Sequence, residues 1–386
     1  MPSKILPGTI LPDRVGFEST GAVMNIDHVH FYVEDASRWQ KWFTQTFGFQ
    51  QIATHRTAHS ITVELGNSAI RFWVSSPCSQ ASPIAAYLQR HPAGVADLAF
   101  QVASLETVLQ RAVEAGATIL QPIQYSQSRQ QKTAQIRGWG DLQHTLIEPT
   151  HASSPANPDR FTSDRTGSEF IGIDHVVLNV EQGDLERAIG WYEAVFGLQR
   201  RQNFAIQTER SGLCSQVLCH PGGSVQFPIN EPASSTSQIQ EFLDWNRGPG
   251  IQHLALRTDQ ILPLIAQLRQ RGLAFLSVPM TYYEQLGQRP GFQLSLQEWQ
   301  AMAQQEVLAD WPPDNPQALL LQAFTQPIFD QPTFFFELIE RRTYRLEMPH
   351  GQNHQPMRTA EGFGEGNFRA LFEAIEREQI KRGSLR

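Results

Sequence analysis

The chain is poor in cysteine, with only Cys78, Cys214 and Cys219 among 386 residues. Three thiols cannot build a disulfide framework, and Cys214 and Cys219 do not stand at the CxxC spacing of a zinc-thiolate site. They are expected as buried thiols. Long apolar runs are missing too: no stretch approaches the ~20 residues of a membrane span. At the N-terminus, MPSKILPGTILPDRVGFEST carries Pro and Asp where a signal peptide needs an unbroken apolar run. Basic residues are no surplus. The 31 Lys and Arg face 38 Asp and Glu, a formal charge of −7, so neither a nucleic-acid nor an anionic-membrane partner is expected. With 40% hydrophobic and 18% charged residues, a soluble cytoplasmic globular protein is expected, long enough for two cores.

What the chain does contain is a repeat of itself. IDHVHFYVEDASRWQKWFTQTFGFQ, from Ile26, matches IDHVVLNVEQGDLERAIGWYEAVFGLQ, from Ile173. Each reads as a strand followed by an amphipathic helix closed by glycine, Gly48 in one and Gly197 in the other. GVADLAF from Gly94 matches GIQHLAL from Gly250, and the same offset pairs Gly116 with Gly272. Finally, the LIE of LQHTLIEPT pairs Glu148 with Glu340 in TFFFELIERR. Three ordered matches predict that each half repeats one set: strand, helix, several strands, then strand, helix and closing strands. HASSPANPDRFTSDRTGSE between them has the composition of a linker. The stretch 294–317, LSLQEWQAMAQQEVLADWPPDNPQ, has no counterpart in the first half and predicts one helix followed by a proline-stopped loop.

The repeat makes three strand positions comparable. His28 pairs with His175, Asp97 with His253, and Thr145 with Glu337. Only the second half thereby assembles two histidines and a carboxylate, the facial triad of non-haem Fe(II) oxygenases, although the same donors also occur at catalytic zinc. A histidine in a strand is more often an ordinary core residue. Glu337 weighs against that reading, because it follows TFFF in a strongly apolar strand. An unpaired carboxylate there would cost roughly several kcal/mol unless neutralised or bound. His28, Asp97 and Thr145 complete no such set, so the first half reads as a structural copy.

With those residues in view, the chain resembles the 4-hydroxyphenylpyruvate dioxygenase family of the vicinal oxygen chelate superfamily. SGLCSQVL, PINEP, SQIQEFLDWNRGPGIQHLAL, TYYEQL, LLLQAFTQPIFDQPTFFFELIERR and GFGEGNFRALFEAIE carry the resemblance, which covers nearly all of the chain from Ile26. It implies an α+β fold of two tandem βαβββ-type open-barrel, glyoxalase-like domains plus a C-terminal helix. The expected divisions are a tail over 1–22, a structural domain over 23–152, a linker over 153–169, a catalytic domain over 170–360 and a gating helix over 361–386. The family's metal ligands fall on His175, His253 and Glu337, which implies one Fe(II) per subunit. The implied reaction joins a 2-oxo acid substrate and O2 in oxidative decarboxylation, ring hydroxylation and side-chain migration, giving homogentisate and carbon dioxide, with no separate 2-oxoglutarate. The resemblance also favours a homodimer or homotetramer.

Binding a phenolic ring calls for an apolar cavity with a few polar groups. The family pattern supplies Ser215, Asn230, Gln238, Gln252, Gln322 and Asn367 as polar groups, with Phe324, Phe335, Phe363 and Phe368 as walls. Each polar one has a plainer alternative: Asn230 can shape a turn, and Gln238 can cap the helix of IQEFLDW. Gln252 raises an objection, since a regular strand sends it and His253 to opposite faces unless a bulge intervenes. In GFGEGNFRALFEAIEREQIK, Phe368, Leu371, Phe372 and Ile375 form an apolar helix face. Ordinary packing explains that face, and covering the barrel mouth is the further expectation. Rival readings are 4-hydroxymandelate synthase, which shares triad and substrate; an extradiol dioxygenase acting on catechols; and a non-catalytic ligand-binding protein of the same fold.

Overall fold

A computed structural model describes residues 24–150, 169–208, 211–222, 225–345 and 357–384. The expected tail lies outside the described residues, as does the expected linker apart from Glu169. Contacts divide the chain into two compact units, one of Met1–Ser168, Ile173–Leu254 and Pro327–Phe334, the other of Glu169–Gly172, Ala255–Gln326 and Phe335–Arg386.

The first half begins with β1 (Asn25–Tyr32), α1 (Ala36–Thr46), β2 (Gln50–Arg56), β3 (Ser60–Gly66) and β4 (Arg71–Pro77). After α2 (Pro83–Arg90) the pattern recurs as β5 (Gly94–Gln101), α3 (Leu105–Glu114), β6 (Ile119–Ser126), β7 (Gln131–Arg137) and β8 (Gln143–Pro149). The eight strands form one sheet in the order β2-β3-β4-β1-β5-β8-β7-β6. Two βαβββ units meet in it where β1 and β5 pair antiparallel. Alternation explains the layers: Val29 and Phe31 of β1 are fully buried core residues, whereas His28 and His30 point to the opposite face. Helix α1 starts where Asp35 accepts from the amides of Ser37 and Arg38, and it buries Ala36, Trp39 and Phe43 at helical spacing.

The second half repeats the plan with β9 (Gly172–Asn179), α4 (Leu185–Phe196), β10 (Gln199–Gln207), β11 (Gly212–Cys219), β12 (Gln226–Pro232) and α5 (Gln238–Asn246). Then come β13 (Gly250–Arg257), α6 (Ile261–Gln270), α7 (Met280–Leu286), α8 (Leu296–Gln305), β14 (Leu308–Asp310), β15 (Leu320–Phe324) and β16 (Phe335–Arg341). Their sheet order, β10-β11-β12-β9-β13-β16-β15-β14, is the first order over again. A small β17 (Thr343–Arg345) and β18 (Met357–Thr359) precede α9 (Glu365–Arg382). The α+β duplicated fold expected from the repeat is thus the fold observed.

Matching residues do matching work. Glu148 accepts from the amide of Leu105 at 2.7 Å, where α3 begins, and Glu340 accepts from that of Ile261 at 2.8 Å, where α6 begins. Both satisfy an amide that a helix start leaves without an intrahelical partner. Gly116 and Gly272, just beyond α3 and α6, have φ of 78° and 88°, in the left-handed region that favours glycine.

Two expectations need correction. The stretch 294–317 is more than a helix and a loop, because after α8 it returns as β14, paired with β15 at the sheet edge that β6 holds in the first half. Only three residues long, LAD carries no readable alternation. Nor are the cysteines fully buried: Cys78 is exposed just past the end of β4, while Cys214 and Cys219 on β11 are partly exposed.

Candidate metal centre

Each proposed ligand is set by a strand. His175 lies on β9, and its Nδ1 is 2.9 Å from Oδ1 of Asp174, both side chains being buried. A carboxylate so placed favours the proton on Nδ1, which would leave the lone pair of Nε2 free for a metal. His253 lies on β13, its ring centroid 5.8 Å from that of His175 at an interplanar angle of 78°. Burial first, and the neighbouring His175 second, push its pKa well below the ordinary histidine range. Burial thus favours the neutral form, the one in which imidazole ligates a metal. Glu337 lies on β16 with 2% exposure, and its Oε1 accepts from Nε2 of Gln322 at 2.9 Å. His175, His253 and Glu337 each offer one ligand atom, and these atoms all lie within 4.8 Å of one another. Two nitrogens and an oxygen, without thiolate, form a donor set that fits Fe(II) and also other divalent transition ions.

The copy shows the contrast. In the first half, Oδ1 of Asp97 accepts from the backbone amide of Thr145 at 2.9 Å, and Oδ2 accepts from its hydroxyl and, at 2.6 Å, from Nε2 of Gln135. The residues that match His253 and Glu337 thus bond directly to each other. His28 keeps the aspartate contact of its counterpart, 2.7 Å from Asp27, and stacks on Trp73 with centroids 3.9 Å apart. Among the described residues, His175, His253 and Glu337 are the one group of three or more ligating side chains so gathered.

The polar residues named from sequence fall as follows. Ser215 on β11 pairs in register with Asn230 on β12, and Asn230 with Asn179 on β9. Asn230 donates from Nδ2 to Oδ1 of Asn179 at 3.3 Å, and it sits within a strand, not a turn. Asn179 stands four residues beyond His175 on the same face of β9. Sequence reading missed it, though NV closing the IDHVVL strand was a signal at even spacing from the histidine. Gln238 opens α5, but Ser237 is the cap, and Oε1 of Gln238 is buried with no hydrogen-bond partner among the described residues. Nδ2 of Asn179 is buried in the same condition. Such orphaned polar atoms suit a site that receives a polar ligand.

Gln252 is buried, as is the whole of β13 except Arg257. Burial therefore does not require it to share a face with His253. In the first sheet the register of β1 against β5 slips between His30↔Asp97 and Phe31↔Val95, leaving out Ala96, the match of Gln252. The first copy thus carries a bulge at the position that matches Gln252.

Around Glu337, alternation gathers one face of β15 and β16. Phe324 pairs with Glu337 and Gln322 with Ile339. The rings of Phe324 and Phe335 meet edge-on with centroids 6.3 Å apart. Both belong to a cluster with Leu276, Leu308 and Ala374, against which Ala370, Leu371 and Ile375 of α9 pack. Ala370, Leu371, Ala374 and Ile375 are therefore the residues of α9 that face Phe324 and Phe335. Phe372 is buried at 1% exposure outside that cluster, and Phe368 is half-buried. Phe363 is buried just before the helix, with the guanidinium of Arg341 6.0 Å from its ring centre. Asn367, in the first turn, is 1% exposed.

Paired sheets of this order and a family-model match define the class. Residues 172–289 match the Glyoxalase/Bleomycin resistance protein/Dioxygenase superfamily, and residues 17–153 match the model for Hydroxyphenylpyruvate dioxygenase, HPPD, N-terminal. Among curated relatives, a 4-hydroxyphenylpyruvate dioxygenase of Yarrowia lipolytica is 37% identical over 93% of both chains. One from Caenorhabditis briggsae is 35% identical over 97% of this chain and 96% of its own. A solved structure of a 4-hydroxymandelate synthase triple mutant from Streptomyces coelicolor has a TM-score of 0.78 at 28% identity, covering 92% of this chain and 99% of that one. The chain belongs to the 4-hydroxyphenylpyruvate dioxygenase family and is an enzyme of that family. Among the described residues no helix is long and apolar enough to cross a membrane.

Proposed function

We propose that the chain is an Fe(II)-dependent dioxygenase that converts 4-hydroxyphenylpyruvate and O2 to homogentisate and carbon dioxide, with His175, His253 and Glu337 as ligands of one iron per chain. The convergence of those three side chains in a family member is the observation that carries this reading. His175, His253 and Glu337 would hold Fe(II), which would supply the electrons for the oxidation of a 2-oxo acid by O2. Asp174 holds the His175 ring in the tautomer that ligation needs, and Gln322 holds the Glu337 carboxylate. Phe324, Phe335, Phe363 and Phe368 wall the ring of the substrate and exclude water. Ser215, Asn230, Gln238, Gln322 and Asn367 fix its polar ends, with Gln252 added through the bulge that this repeat position allows.

In this reading residues 170–360 form the catalytic domain, 23–152 its structural copy, and 361–386 the segment that closes the site. The assembly is a cytoplasmic homodimer or homotetramer. The second reading is hydroxymandelate formation, favoured by the likeness to the Streptomyces synthase structure. Asn230 with Phe324 and Phe335 supports the homogentisate outcome instead. Incubation of the iron-loaded enzyme with 4-hydroxyphenylpyruvate and O2, followed by chromatography and mass analysis, separates the two. Homogentisate is the expected product, and 4-hydroxymandelate overturns the assignment.

A further inference from the structure

A single run of side-chain hydrogen bonds ends on the Glu337 carboxylate. Nε2 of Gln322 donates to Oε1 of Glu337 at 2.9 Å and to the carbonyl of Phe363 at 3.0 Å. Oε1 of Gln322 accepts from Nδ2 of Asn367 at 2.9 Å, and Oδ1 of Asn367 accepts from the Tyr282 hydroxyl at 2.8 Å. The amide of Ala309 in turn donates to that hydroxyl oxygen at 2.9 Å. The direction of the run from Asn367 to Glu337 is forced. A carboxylate and a carbonyl both only accept, so the Gln322 nitrogen must face them, and Asn367 must then present its nitrogen to Gln322 and its oxygen to the Tyr282 hydroxyl. That hydroxyl has a second acceptor in the carbonyl of Ala309 at 3.1 Å, against 2.8 Å to Asn367, so the shorter bond is the one that joins it to the run. From Asn367 onward the donors point toward Glu337, an arrangement in which each bond polarises the next.

Three features make this run a rigid coupling. Glu337 and Gln322 are each 2% exposed and Asn367 is 1% exposed, so water does not readily replace a lost bond. The turn into α9 is pressed onto the Gln322 amide: Gly364 has φ of 75°, and a β-carbon there would stand 1.9 Å from Oε1 of Gln322. The helix start is also tied down beside it, since Oδ2 of Asp310 accepts from the amide of Gly366 at 2.9 Å. Gln322 and Asn367 were expected as ligand-binding residues, but Tyr282 was expected as nothing beyond part of a family segment.

We infer that Tyr282 is a positioning residue, which acts through Asn367 and Gln322 to hold the Glu337 carboxylate and the first turn of α9 as one unit, so that metal occupancy and the seating of α9 are coupled. This rests on the reading of Glu337 as a metal ligand. Loading the site fixes the carboxylate, which fixes Gln322, which holds Phe363 and Asn367. Conversely, loosening the turn at Asn367 frees Gln322 and lets the carboxylate rotate away from its ligating pose.

Tyr282→Phe isolates the hydroxyl, because the ring still packs against the cluster of Leu276, Leu308, Phe324 and Phe335. The test uses the full chain, stripped of metal and titrated anaerobically with Fe(II) or Co(II) against a chelator. Hydrogen exchange across residues 365–382 is followed by mass spectrometry with and without metal. In the wild type, metal should slow exchange in that segment. In Tyr282→Phe, metal affinity should fall roughly tenfold, as for loss of an outer-shell partner, and the metal-dependent slowing should disappear. Tyr283→Phe, whose hydroxyl bonds the carbonyl of Val307 instead, should match the wild type in both measurements. Wild-type affinity together with intact metal-dependent slowing in Tyr282→Phe overturns the coupling, provided Glu337→Ala has lost metal. If Glu337→Ala binds metal as tightly as the wild type, the ligand reading itself falls, and the coupling with it.

Discussion

His144 shows how a single buried side chain makes the stability of this enzyme depend on pH. Its Nδ1 lies 3.1 Å from the carbonyl of Leu98, its Nε2 3.0 Å from the Tyr192 hydroxyl, and it is fully buried. Burial lowers its pKa to about 4 against the opposing pull of the Leu98 carbonyl. The unfolded chain takes up this proton near 6.5 and the folded chain near 4, so between those values the unfolded state holds more protons. Stability is therefore complete above about pH 6.5 and is lost as pH falls toward 4, by up to ~1.4 kcal/mol per pH unit for this group. His144→Phe should be less stable at pH 7 by roughly 1–3 kcal/mol through its lost hydrogen bonds, yet show a shallower decline between pH 7 and 5. Urea midpoints at both pH values check this, and parallel declines would contradict it. At the same scale, Glu337 was legible because apolar neighbours make a carboxylate conspicuous. Asn179 was not, because an asparagine at a strand end looks like a turn residue until its register with Asn230 is known.

At the scale of elements, α9 carries the next prediction. Its packed face covers Phe324 and Phe335, and its first turn reaches Gln322 through Asn367. Truncation after Arg358 removes both contacts. It should lower kcat/KM with 4-hydroxyphenylpyruvate by about tenfold or more, equivalent to ~1.4 kcal/mol of barrier, and steady-state oxygen uptake measures it. Undiminished turnover with unchanged substrate affinity would contradict a closing role. The helix and much of its packed face were legible from periodicity: Leu371 and Ile375 pack against the cluster and Phe372 is buried, while Phe368 is half-buried. Ala370 and Ala374, which share the contact, were not legible, because alanine adds little to an apolar pattern. β14 was hidden for a related reason: a strand of three residues carries too few alternations to read, and only its pairing with β15 defines it.

For the whole molecule, duplication is what made the site readable. Comparing two copies of one unit turned scattered histidines into a contrast between His253 and Asp97, and between Glu337 and Thr145. In the first half these positions satisfy each other through hydrogen bonds, and in the second they present ligand atoms to a common point. Such a site can be given up without giving up the fold, since Asp97 and Thr145 show one stable way of filling the same strand positions. The corresponding removal of a ligand in the second half should therefore abolish chemistry and spare structure. The most direct measurement is anaerobic Fe(II) titration of the wild type and His253→Ala, each followed by oxygen uptake with 4-hydroxyphenylpyruvate. One iron per chain and rapid uptake are predicted for the wild type, with neither in a variant whose circular dichroism is unchanged. Stoichiometric iron and retained turnover in His253→Ala would contradict the account.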